Sequence, residues 1–116
     1  MPARGRVTLL VVSHELTLRQ TYGLIFLATR YAVRSVEPSQ LENALQRFKF
    51  QVGLMDHTLK EKERKAAARL IRARAPEARI VALHASAADS GADIIMDSRE
   101  GPTAIIEAIT KAVSAS

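Results

Sequence analysis

Cysteine is absent from the 116 residues, which removes disulfides, thiolate metal sites and a cysteine nucleophile together and suits a reducing compartment. Long apolar runs are also missing, since no window approaches the roughly 18 residues of a membrane-spanning helix. After the basic opening Met-Pro-Ala-Arg-Gly-Arg, only Val7 to Val12 follow as an apolar stretch, too short for the core of a secretory signal. A soluble, cytoplasmic protein without membrane contact is the simplest expectation. The chain holds no GxxxxGK[ST] phosphate loop, no GxGxxG, no HExxH and no GxSxG, so the familiar nucleotide-binding and hydrolase motifs give no support to an enzyme. Repeats, low-complexity tracts and linkers are lacking as well.

What is present is the composition of an ordinary globular protein, 47% hydrophobic and 25% charged. That is far from disordered or fibrous chains. At this length one core is expected, hence a single domain over residues 1–116 with flexible ends at 1–6 and 114–116. The net charge is +5. It concentrates between Lys60 and Arg79, where eight basic residues interleave with Glu61, Glu63 and Glu77. Such a pattern reads as a solvated helix face. A nucleic-acid partner is not expected there, because the stretch has neither aromatics for stacking nor a recognised motif.

Hydrophobic periodicity divides the chain into alternating strands and helices. Val7 to Val12 is a continuous aliphatic run, the pattern of a strand covered on both faces of a parallel sheet. Between Leu16 and Arg30, the residues Leu18, Tyr22, Ile25, Phe26 and Thr29 recur at helical spacing. Tyr31 to Val36 suits a less buried strand, and Pro38-Ser39 opens a helix carrying Leu41, Ala44, Leu45 and Phe48. Phe50 to Met55 is a third strand, and Glu61 to Arg74 a helix with a stripe of Ala67, Leu70, Ile71 and Arg74 that Pro76 ends. Arg79 to Leu83 and Asp93 to Met96 complete five strands, and Pro102 begins a last helix with Ile105, Ile106, Ile109 and Val113 buried. Between the last two strands, Ala85 to Ala92 leaves room only for a turn or a vestigial helix. The order predicts βαβ units with right-handed crossovers.

Ligands of such sheets bind beyond the carboxyl ends of the strands. The residues there are Ser13-His14-Glu15, Asp56-His57-Thr58, His84-Ala85-Ser86 and Asp97-Ser98-Arg99. All three histidines fall in these positions. Two readings of Asp56 follow from residue type alone. It is either a strand-end aspartate that caps the next turn, or, with His14 and His84, one member of a transition-metal ligand set. A melting shift with Zn²⁺ that is lost in His84→Ala identifies the second.

The segments VTLLVVSHE, VGLMDHTL, RIVALHAS and GADIIMDSREGPTAIIEAI resemble, nearly end to end, the successive motifs of bacterial response-regulator receivers. The resemblance implies a three-layer α/β/α doubly wound sheet, flavodoxin-like, with five parallel strands in the order 2-1-3-4-5. It implies a role in two-component phosphorelay signalling, with a histidine kinase or a downstream effector as partner. In that family an acidic pair after the first strand helps hold Mg²⁺, an aspartate after the third accepts phosphate, a Thr or Ser follows the fourth, and a Lys follows the fifth. Here Ser13 and His14 stand at the acidic pair, Asp56 at the phosphoacceptor, His84 at the hydroxyl position and Ser98 at the lysine. Glu15 matches a common third acid, Thr58 follows in the pocket, and Ile95 stands where the family usually has a rotating aromatic. The fourth helix is expected to be shortened or absent. Mg²⁺ prefers hard oxygen ligands, and neutral imidazole replaces carboxylate poorly. Without that ion or a lysine, the charge of a transferring phosphoryl group has little compensation. The expectation is a degenerate receiver with weakened Mg²⁺ binding, no required cofactor and no catalysis. It would signal through protein contacts at Thr103, Glu107, Thr110 and Lys111 on the last helix. The alternative is conventional phosphorylation at Asp56.

Overall fold

Aliphatic strands too apolar to face water on either side force this chain into layers. The computed structural model describes residues 7–27, 29–83, 91–97 and 101–114. Strand β1 (Val7–Val12) leads to helix α1 (Leu16–Ile25), β2 (Tyr31–Val36), a single 3-10 turn at Pro38–Gln40, and α2 (Leu41–Arg47). Strand β3 (Val52–Met55), α3 (Glu61–Arg74), β4 (Arg79–Leu83), β5 (Ile94–Met96) and α4 (Pro102–Ser114) follow. All strand pairs are parallel, in the order β2-β1-β3-β4-β5. The predicted fold class and strand order hold.

Alternation along the strands builds two cores. Leu9 and Val11 of β1, Leu54 of β3 and Leu83 of β4 pack with Tyr22 of α1, Phe26 just after it, and Ile105 and Ile109 of α4. Leu10 and Val12, Met55 and Ile80 turn to the other face, against Leu41 and Ala44 of α2 and Ala67, Ala68 and Ile71 of α3. Side chains two apart on a strand share a face, so one short sheet serves both helix layers. Gly53 faces α3, where an added Cβ would lie 3.3 Å from Ile71 Cδ1. The helix can approach β3 because that position is bare.

Several boundaries differ from expectation. Helix α1 stops at Ile25 rather than Arg30. The Thr29 hydroxyl donates to the Phe26 carbonyl at 2.6 Å and accepts the Tyr31 amide at 3.1 Å, so Thr29 turns the chain into β2 instead of extending the helix face. Pro38 opens the 3-10 turn, and the helix proper begins at Leu41. Strand β3 begins at Val52 rather than Phe50. Arg74, placed in the buried stripe of α3 by spacing, is exposed and reaches Glu42 at 3.1 Å. Its position in the last turn lets the guanidinium swing out to a carboxylate and to the helix carboxyl end. Ala68 and Ala112 are buried, while Leu70, Ile106 and Val113 are only partly covered. Helix α4 continues through Ser114, which was expected to fray.

Asp93 lies just outside β5 and fastens that edge strand. Its amide donates to the Ile80 carbonyl, and its carboxylate accepts the Ile80 amide, both at 2.8 Å. The other carboxylate oxygen lies 3.1 Å from Arg72 and 3.8 Å from Arg79. A three-residue strand has few ladder bonds, and Asp93 supplies the missing one through its side chain. The expected shortening of a fourth helix falls mostly on residues 84–90, outside the described residues.

Candidate functional site

Parallel register aligns the strand ends. Val12 lies opposite Met55, which brings Ser13 beside Asp56, and the Asp56 amide donates to the Val12 carbonyl at 3.3 Å. Both Ser13 and Asp56 are completely buried, the two polar residues in an otherwise apolar interior among the described residues. A buried carboxylate is costly unless hydrogen-bonded, so the donors around Asp56 define the site.

Among the described residues, three donors meet it. The Thr58 amide and hydroxyl both donate to Oδ1, at 3.0 and 2.5 Å. The Tyr22 hydroxyl, from the buried face of α1, donates to Oδ2 at 3.2 Å. The Thr58 amide bond is an aspartate turn of the type expected at a strand end, and the Leu59 amide closes it on the Asp56 carbonyl at 3.3 Å. No cation pairs with Asp56 among the described residues. Burial first, and the Asp56 carboxylate second, hold the Tyr22 phenol well above the ordinary tyrosine range. Tyr22 therefore remains a neutral donor at any physiological pH.

Ser13 and His14, which the resemblance sets at an acidic pair, meet the pocket differently. The Ser13 hydroxyl lies 3.4 Å from that of Thr58 and accepts the Glu15 amide at 3.3 Å. His14 contributes only its backbone to the pocket, its amide donating to the Thr58 hydroxyl at 2.8 Å. Its ring leaves the pocket. Nε2 sits 2.8 and 2.9 Å from the two carboxylate oxygens of Glu63 on α3, and between two acceptors that nitrogen must carry the proton. The Lys60 amide also donates to Glu63, and this bond first, then the histidine, holds the Glu63 carboxyl below its ordinary range. Glu15 is exposed at the amino-terminal end of α1. His84 and Ser98 lie outside the described residues.

Of the predicted residues, Ser13, Asp56 and Thr58 converge, His14 converges through its main chain, and Glu15 stands at the rim. Both Asp56 oxygens are already engaged, Ser13 supplies a hydroxyl that is itself engaged, and the imidazole points to Glu63. No group of three histidine, aspartate or glutamate side chains suited to a metal occurs among the described residues; the transition-metal reading also needs His84, which lies outside them. Two partners escaped the sequence reading. Tyr22 was assigned to the core by spacing, although a buried tyrosine hydroxyl needs an acceptor. Glu63 was counted within a solvated charge run, although its place three residues after the helix cap is where a glutamate reaches back to the backbone.

No family model matches the chain, and no curated protein matches it. Solved structures do. A response regulator receiver protein from Sinorhizobium medicae superposes with a TM-score of 0.81 at 20% identity, covering 95% of this chain and 96% of that one. The fold is that of response-regulator receiver domains. A response regulator from Thermotoga maritima gives 0.79 at 16% identity, covering 94% and 98%. A Burkholderia pseudomallei response regulator, solved with a phosphorylated aspartic acid, calcium and citrate, gives 0.75 at 23%, covering 94% of this chain and 69% of that one. In the receiver fold Asp56 stands at the carboxyl end of the central strand, and there it is closed off by Tyr22 and Thr58. No helix of the described residues is long and apolar enough to cross a membrane.

Proposed function

We propose that this chain is a receiver-type signalling module that acts by binding a protein partner, a histidine kinase or a downstream effector, without efficient magnesium-dependent phosphorylation of Asp56. The observation that carries the reading is the closed carboxylate. Both oxygens of Asp56 are bonded to neutral protein donors, and its neighbour is Ser13 rather than a second acid. An oxygen that is to attack phosphorus must be accessible, and the charge on the moving group must be compensated by cations. Asp56 is fully buried, and no cation pairs with its carboxylate among the described residues. What the fold leaves for recognition is its surface. Thr103, Glu107 and Lys111 are exposed along α4, while the exposed Thr110 is tied by its hydroxyl to that of Tyr31 at 2.8 Å.

Incubating the intact protein with Mg²⁺ and either acetyl phosphate or beryllofluoride tests the reading by mass and by amide chemical shifts. Unchanged mass and unchanged shifts around Asp56 are expected. Stoichiometric modification of Asp56 overturns it.

A further inference from the structure

At the opposite end of the sheet from Asp56, the segment leaving α2 and entering β3 faces the end of α3 and the turn into β4. An open groove of about 910 Å³ lies between them, within the roughly 300–1,000 Å³ of small-ligand sites. Among the described residues five cations line it, Arg47, Lys49, Arg72, Arg74 and Arg79, against one carboxylate, Glu77. In sequence these belong to two separate stretches; the βαβ crossovers bring them together.

Part of this charge has local work. Helices α2 and α3 end here, and the partial negative charge of their carboxyl ends offsets about one of the five cations. Glu42 and Asp93 each engage one guanidinium nitrogen of Arg74 and Arg72, and Asp93 also faces Arg79. A guanidinium has five N–H donors, so Arg72 and Arg74 keep donors for a ligand. Arg47 and Lys49 are exposed and pair with no carboxylate among the described residues. A concave site with an excess of forked donors matches phosphate oxygens better than single carboxylates. It is a poor platform for nucleic-acid bases. The Phe50 ring is buried, and the Arg34 guanidinium already covers Phe48 at 4.4 Å from the ring centroid, which leaves no free pair of rings for stacking.

We infer that this groove binds a small ligand carrying consecutive phosphate groups, through Arg47, Lys49, Arg72 and Arg74. The site reads charge and phosphate geometry, and it needs no phosphate loop because side chains rather than backbone amides supply the donors.

Titration calorimetry of the intact chain with inorganic tripolyphosphate, at about 20 mM salt to limit screening, tests this directly. Binding is expected. It should weaken by about tenfold or more in the double variant Arg47→Glu/Lys49→Glu, and by less than about threefold in Lys62→Glu/Arg69→Glu, which changes net charge equally on the exposed outer side of α3. Should the first variant misfold, Arg47→Gln/Lys49→Gln takes its place with a smaller loss in the same direction. ATP distinguishes the source of the phosphates: affinity equal to that of tripolyphosphate marks a phosphate-only ligand, and higher affinity marks a nucleotide. No binding, equal losses in the two double variants, or tighter binding of a single-stranded oligonucleotide of about 20 residues overturns the proposal.

Discussion

Replacing Tyr22 by phenylalanine removes a single oxygen from the interior and leaves the ring that packs with α1 and the sheet. Asp56, fully buried, then loses the donor to Oδ2. A hydrogen bond to a charged acceptor contributes about 1.5–3 kcal/mol, and leaving the acceptor dry costs a similar amount. Unfolding entropy of about 2.1 cal/mol/K per residue over 116 residues gives about 0.24 kcal/mol/K. The melting temperature of Tyr22→Phe should therefore fall by about 6–12 °C. A second arm uses alkali. The phenol ionises near 10.0 when unfolded and is held higher in the fold by burial and Asp56, so its contribution is complete below pH 10 and declines above it. In that range the unfolded chain has lost a proton the native chain keeps, and stability drops by about 1.4 kcal/mol per pH unit from this group. The difference in unfolding free energy between wild type and Tyr22→Phe, measured in urea at several pH values, should be flat to pH 10 and shrink beyond it. A melting shift under about 2 °C, or a difference independent of pH up to 12, would refute the bond between Tyr22 and Asp56.

Two other substitutions probe neighbouring claims. Asp56→Asn keeps an acceptor for Thr58 and gives Tyr22 an N–H to accept while removing an uncompensated buried charge, so urea unfolding should place it within about 1 kcal/mol of wild type; a loss above about 3 kcal/mol would show that a cation faces this carboxylate. Asp93→Ala strips the Ile80 amide of its partner and frees the β5 edge, with an expected cost of about 1–3 kcal/mol and faster hydrogen exchange at Ile80. Protection at Ile80 equal to wild type would contradict that anchoring role.

Local residue choice already contains the architecture. Aliphatic runs of four to six residues, too short for helices and too apolar for an exposed sheet, can be satisfied only by helices on both sides, and Ala-rich α3 and Ile-striped α4 provide them. Those constraints act over one element at a time, so they are legible in order along the chain. Where a turn competed with a helix, at Thr29, the reading overran, because a threonine at helical spacing and a threonine capping a turn look alike until the next strand fixes the direction of the chain.

The pocket is a different case. Sequence placed Ser13, Asp56 and Thr58 at the correct edge, since parallel strands deliver their carboxyl ends to one side. Which side chains complete the hydrogen bonds depended on atoms 34 and 49 residues away, Tyr22 on Asp56 and Glu63 on His14. A buried carboxylate takes whatever donor packing brings within hydrogen-bonding distance, and an exposed imidazole turns to the nearest acceptor; neither choice leaves a periodic trace. The basic groove likewise exists only because two crossovers end side by side, so that charges spread over two stretches of chain add at one place.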